Sequence, residues 1–432
     1  MKTAEEANRA IQEASPALFA ALSDLGRRVS FPPDIPVQAA EARGRAYNAT
    51  IGQITDGRGQ AASLRSMTRH LGSLAPADRN RALLYSPVQG IRELRQRWRA
   101  WQRRGRPEAA ASTLPLVTAG LTHGLSLLAD LFGGPGRAVA VPSPFWGNYR
   151  QSFAVRTGAR ILSAPAYLGG RFHCEAIAEA IEREPAGEPV LALLNLPSNP
   201  GGYSPTVEER ARLRDSLLSV AEKRPLVVIC DDAYAGLVYE KGVPAESIFW
   251  DLLGLHDNLV AVKVDGGTKE FAFFGGRVGF LSFPFEPESA IAAALESKVK
   301  CLVRATVGSP VATSQMLLLE ALRQEGIEEE VESIRRLLVG RWRALQRALA
   351  AADSSLLVRL PSNSGCFTLV ELPEALHLTA EEVRRHLLDR HDTGVIAIPP
   401  NYLRIAFCSV EEKALPELVR RLERAVAELA RP

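Results

Sequence analysis

From residue 114 to residue 283, short uninterrupted apolar runs alternate with stretches of helical spacing. No other feature narrows the possible folds as much. The runs are LPLVT (114–118), AVAVP (138–142), ILSAPA (161–166), VLALLN (190–195), LVVIC (226–230), LVAVKV (259–264) and VGFLSF (278–283). Apolar runs without alternation suit strands buried on both faces. With helical segments between several of them, such as 206–222, they predict an α/β fold with a mostly parallel sheet covered by helices. A helical stretch is expected from 312 to 352. Beyond it, LLVRL, CFTLVEL, VIAI and YLRIAF alternate with helices expected at 379–388 and 411–430, which predicts a smaller α+β domain. Residues 1–75 combine an amphipathic helix over the first 22 residues with irregular chain containing Pro32, Pro33, Pro36, Gly52 and Gly57. The expected division is an N-terminal segment, 1–75, packing with the small domain, a large domain, 76–315, and a small C-terminal domain, 316–432.

Composition excludes several classes. The chain has 432 residues, 46% hydrophobic and 23% charged, as globular proteins do. Lys and Arg number 52 against 49 Asp and Glu, a net +3 that argues against a nucleic-acid partner. Five cysteines without C-x-x-C spacing argue against a metal site or a disulfide framework. Glu5, Glu6 and Glu13 interrupt the apolar core that a secretory signal needs. No apolar run approaches the ~20 residues of a membrane span. A cytoplasmic location is expected. Eight of the 52 basic residues are lysines, so chemistry that needs an amine has few candidates.

In a parallel α/β sheet, ligands bind beyond the carboxyl ends of the strands. After LPLVT comes Ala119-Gly120-Leu121-Thr122, opening a helix whose free N–H groups suit a phosphate, although a plain helix start reads the same way. Trp146 follows AVAVP and is placed either to stack on a flat ring or to pack in the core. Asn199 stands in the tight turn after VLALLN. Asp231 ends an apolar run and needs a partner, either a cationic ligand nitrogen or a helix N-terminus; Tyr234 follows it. Lys269 and Arg277 follow LVAVKV. Together these residues fit a flat, phosphorylated, protonatable ring held by an amine, which describes pyridoxal phosphate.

These segments, in this order, resemble the fold-type I pyridoxal-phosphate enzymes of the class I/II aminotransferases, nearest the aspartate aminotransferase subgroup. The resemblance covers roughly residues 45–410. It implies that Lys269 is the Schiff-base lysine, Asp231 the partner of the ring nitrogen, and Asn199 and Tyr234 the partners of the ring hydroxyl. Gly120, Leu121, Thr122 and Arg277 match the phosphate site, and Trp146 the stacking aromatic. Tyr85, in Tyr85-x-Pro-x-x-Gly90, matches a tyrosine that reaches the phosphate of the neighbouring subunit. Arg404 matches the clamp on the substrate α-carboxylate. Gly52 falls where the N-terminal segment closes over the substrate. Arg304 resembles an arginine donated by the other subunit to a side-chain carboxylate. One departure stands out. Where the family commonly has Ser, three residues before the lysine, this chain has Gly266, so that hydroxyl contact is either lost or supplied by Thr122 or Thr268.

The resemblance implies ping-pong transfer of an amino group between an L-amino acid and a 2-oxoacid such as 2-oxoglutarate. Aspartate or glutamate is the expected donor, with an aromatic amino acid as the alternative. It also implies a homodimer with shared sites. A β-lyase or decarboxylase on the same fold, or a non-enzymatic regulator, are the competing readings.

Overall fold

A computed structural model describes residues 4–14, 19, 22, 24–28, 35–56, 62–70, 72–104, 111–185 and 187–430. The seven apolar runs form one seven-stranded sheet: β1 (Leu116–Thr118), β2 (Ala138–Ser143), β3 (Arg160–Pro165), β4 (Val190–Asn195), β5 (Leu226–Asp231), β6 (Leu259–Gly266) and β7 (Gly279–Ser282). Their spatial order is β1-β7-β6-β5-β4-β2-β3. The five strands from β6 to β3 run parallel, and β7 lies antiparallel to both β1 and β6. All six residues of β4 are buried, which is why its sequence does not alternate. Burying each Leu or Val of such a strand contributes roughly 1.5–3 kcal/mol.

Helices α1 (Arg92–Gln102), α2 (Leu121–Phe132) and α3 (Val207–Ala221) accompany this sheet, α2 packing against β6 and β7. The start of α3 is set by its sequence. Thr206 Oγ1 accepts the Glu209 N–H, and Glu209 Oε2 accepts the Thr206 N–H. Such reciprocal capping contributes about 1 kcal/mol. A further helix, α4 (Ala290–Thr306), follows β7.

The stretch expected as one helix from 312 to 352 is two, α5 (Ala312–Arg323) and α6 (Ile327–Ala351). Gln324 turns extended and Gly326 takes φ +82°, a left-handed conformation that glycine adopts at little cost. Helical periodicity continues across this break, which hid it from the sequence reading. Beyond α6, β8 (Val358–Arg359), β9 (Thr368–Glu371), β10 (Ile396–Ile398) and β11 (Tyr402–Ile405) form an antiparallel sheet of order β8-β9-β11-β10. Helices α7 (Ala380–His391) and α8 (Leu415–Leu429) pack on each other. Tyr47–Asn48 pairs in parallel with Thr393–Gly394 in a separate two-stranded sheet, which ties the N-terminal segment to the chain between α7 and β10. The N-terminal helix spans Ala4–Ala14. Pro32, Pro33, Gly57 and several residues of the expected first helix lie outside the described residues. Among the described residues, no helix is long and apolar enough to cross a membrane.

Candidate active site

The carboxyl ends of β4 and β5 lie side by side, with Asn195 opposite Asp231 in register. They open into a cavity of about 290 Å³. Eleven of the residues singled out in the sequence line it: Gly52, Leu121, Thr122, Trp146, Asn199, Asp231, Tyr234, Thr268, Lys269, Arg277 and Arg404. They come from every part of the chain, from the N-terminal segment to β11. Gly120 sits just behind, where a Cβ would stand 2.6 Å from Arg277 Nη2. Two predicted residues are not brought together with the others. Tyr85 is 95% exposed, and Arg304 is exposed in the last turn of α4.

Asp231 is buried, at 2% exposure. Its Oδ2 accepts from Tyr149 OH at 2.5 Å and its Oδ1 from the Ala233 N–H at 3.2 Å. Both donors are neutral. Burial pushes its carboxyl up to about 6, and the neighbouring charge of Asp232 adds to the rise against the Tyr149 hydrogen bond. The carboxylate thus stands without full compensation, facing a cavity that can admit a cation. Lys269 Nζ donates to Gly52 O at 2.8 Å and lies 4.7 Å from the Phe274 ring centre. Burial lowers its pKa, and the positive charges of Arg404 and Arg277 act in the same direction. An amine held this way has a larger neutral, nucleophilic fraction than an exposed lysine. Arg404, 1% exposed, donates to Asn199 Oδ1 at 3.0 Å and to Thr50 O at 2.7 Å, with its guanidinium 4.3 Å from the Phe367 ring centre. Asn199 Nδ2 reaches Tyr234 OH at 3.5 Å.

The residues fit pyridoxal phosphate. Thr268 Oγ1 is buried without a hydrogen-bond partner among the described residues, beside Arg277 and the N-terminus of α2. A phosphate would satisfy all three at once. The structure also explains Gly266. A Cβ there would stand 2.5 Å from Val278 O and 2.9 Å from Gly279 Cα, so β7 packs too closely for a serine. Thr268 and Thr122 are the hydroxyl residues lining that part of the cavity.

Two groups escaped the sequence reading. Tyr149 stands three residues after Trp146, a helical spacing that could have pointed to it. Asn195, at the tip of β4, donates to Asp231 O at 2.8 Å and accepts the Asn199 N–H at 2.7 Å. It read as the end of an apolar run, and only strand pairing places it beside Asp231.

A class of enzyme follows from this geometry: a half-buried amine, a carboxylate awaiting a cation and a phosphate corner, all at the carboxyl end of a mostly parallel sheet. The sequence profile described as aminotransferase class I and II matches residues 50–422, and the chain belongs to that family. It is a pyridoxal-phosphate-dependent transaminase of the fold-type I architecture. The 2-aminoadipate transaminase of Thermus thermophilus is 28% identical over 355 residues, covering 80% of this chain and 82% of that protein. Aromatic-amino-acid aminotransferase 2 of Thermococcus litoralis is 24% identical, covering 80% and 84%. Among solved structures, an aminotransferase from Anaerococcus prevotii superposes with a TM-score of 0.80 over 94% of this chain and 98% of that one, at 20% identity. That last likeness is one of fold.

Proposed function

We propose that this transaminase moves an amino group from a dicarboxylic L-amino acid, aspartate or glutamate, to a 2-oxoacid such as 2-oxoglutarate, in the cytoplasm and as a homodimer with shared sites. One observation carries the site assignment: Lys269, Asp231 and Arg404 converge on one cavity although 173 residues separate the outer two in sequence (404 − 231). The large and small domains are read as 76–315 and 316–432. Pairing of Tyr47–Asn48 with Thr393–Gly394 supports packing of segment 1–75 against the latter.

The cofactor, when bound, supplies a carbonyl carbon for the amino group and a ring that takes up electrons. The chain's own residues do the rest. Arg404 binds the substrate α-carboxylate bidentately, which fixes the orientation of Cα. Lys269 Nζ would hold the cofactor and, once released by the substrate amine, would carry the proton from Cα to the cofactor carbon that takes the amino group. Asp231 would partner the ring nitrogen, and Asn199 and Tyr234 would partner the ring hydroxyl. Thr268, Thr122, Gly120, Leu121 and Arg277 would hold the phosphate, and Trp146 would stack on the ring. Gly52 offers backbone to the cavity, and Tyr85, exposed in the single chain, would reach the phosphate site of the partner subunit. Incubation with an amino acid alone tests the reaction type. A transaminase stops after one turnover per site, whereas continued turnover would indicate a lyase or decarboxylase.

Substrate choice rests on Arg304. It is exposed in the single chain, as a residue acting in the partner's site would be. The name of the Thermus relative also specifies a dicarboxylic amino acid, whereas that of the Thermococcus relative specifies aromatic ones. Losing a charge-assisted pair costs ~1.5–3 kcal/mol, about 10–150-fold in kcat/KM. Arg304→Ala should lower kcat/KM for glutamate by that factor and leave an uncharged amino acid nearly unaffected. Equal losses on both would make Arg304 structural and remove the dicarboxylate assignment.

Shared sites are tested with mixed dimers of Lys269→Ala and Arg304→Ala subunits. If Arg304 acts across the interface, one site carries both lesions and the other none. Verified heterodimers should then show about half the parent activity on glutamate. Activity no higher than half that of the Arg304→Ala homodimer would place both residues in one chain's site.

A further inference from the structure

Beside the strand tip that carries Asp231 lies a charged cluster that the roles above do not use. Asp232 follows Asp231 and is also buried, yet it does not line the cavity. Lys263 Nζ donates to Asp232 Oδ2 and stands 3.3 Å from Asp265 Oδ2. Lys263 and Asp265 are two residues apart on β6 and so share a face. Asp265 in turn accepts from Trp98 Nε1 at 3.0 Å and from Gln102 Nε2 at 2.9 Å, both on α1. The Asp232 N–H donates to Val264 O at 2.8 Å, which holds the loop against β6. The Lys263 side chain is 4% exposed. Although burial works against its charge, Asp232 and Asp265 hold the ammonium above the ordinary lysine range.

A buried ion pair is often no better for stability than well-packed apolar side chains. The position of this one suggests a different use. Asp231 and Asp232 are adjacent buried carboxylates, and each ionised one favours the proton on the other. Asp232 raises the proton affinity of Asp231, and Lys263 opposes it. The other titratable groups around Asp231 are Tyr149, Tyr234 and Cys230, with Lys269, Arg277 and Arg404 across the cavity.

We propose that Lys263 is a positioning residue for the transamination: through its ion pair with Asp232 it offsets part of the negative charge beside Asp231, and so favours the ionised Asp231 that receives the protonated ring nitrogen of the cofactor. This rests on the role given to Asp231 above.

The test measures the dissociation constant of pyridoxal phosphate for the cofactor-free protein against pH, by quenching of protein fluorescence. Lys263→Met leaves Asp232 uncompensated. It should move the acid midpoint of binding toward alkaline pH by about one unit, weakening binding about tenfold on the acid side. Asp232→Asn removes the negative charge and keeps the ammonium, so its midpoint should move toward acid pH. Opposite shifts are the signature of charge. A packing role predicts weaker binding in both variants with the midpoint unmoved, and that result would overturn the proposal. If Lys263→Met does not fold, Asp232→Asn decides alone, and an unmoved or alkaline midpoint rejects the idea. Asp231→Asn separates the two levels. If it keeps the parent midpoint, the Asp231 assignment fails and takes this inference with it. If it abolishes the midpoint while the other two variants leave it in place, only the role of Lys263 fails.

Discussion

Replacing Lys269 with alanine should lower kcat at least about 10⁴-fold, the upper end of what a positioned general acid–base contributes, and remove covalent cofactor binding as well. Borohydride reduction of the parent holoenzyme followed by peptide mapping should label Lys269. Lys263 is the informative competitor, because it is buried and lies six residues away. Its ammonium is held by Asp232 and Asp265, so little neutral amine is available for addition to a carbonyl. Lys269 has no such carboxylate partner among the described residues, and burial lowers its pKa. A label on Lys263, or turnover surviving in Lys269→Ala, would require a different amine in the reaction.

Asp231→Asn should lower kcat about 10²–10³-fold, the usual cost of removing one preorganised charge from an active site. The same substitution should stabilise the cofactor-free protein. The folded-state carboxyl is raised to about 6, above its unfolded value. Between those two values the folded state binds more protons than the unfolded one, so stability falls as pH rises through this window. Above about pH 6 the full cost is present, on the order of 3 kcal/mol, and an amide at 231 avoids it. Thermal unfolding at pH 8 should therefore show cofactor-free Asp231→Asn unfolding at a higher temperature than the parent, with the gap closing below pH 4. On adding pyridoxal phosphate the parent should gain the more, because it alone supplies an anion to the ring nitrogen. Parent-like kcat in Asp231→Asn would remove the ring-nitrogen role.

Much of the site was readable because chemistry concentrates at strand ends. Uninterrupted apolar runs located β2, β4, β5 and β6, and the polar residue just beyond each run was a candidate ligand. Asp231 and Lys269 could be named in this way, since a carboxylate or an amine next to such a run needs a specific partner. The chain-wide order of the motifs then brought in Arg404, which no local pattern singles out. The family match and the fold likeness bear out the aminotransferase reading and the α/β class.

What the sequence by itself determined is local: the strands, most helices, and the residue types offered at their ends. These follow from hydrophobic periodicity and capping, which act over a few residues. Tertiary structure decided which groups meet. Asn195 supports Asp231 because β4 and β5 pair in register, and Tyr149 donates to Asp231 because the chain after β2 folds back over the strand tips. Gly266 lacks a side chain because β7 crosses within 3 Å of where its Cβ would be. In the sequence Lys263 is simply a charge inside an apolar strand. Its two carboxylate partners lie on the same face of the folded sheet, one on its own strand and one beyond β5. Pairing register, close packing and electrostatic fields couple residues far apart in sequence, so they exist only once the sheet has closed.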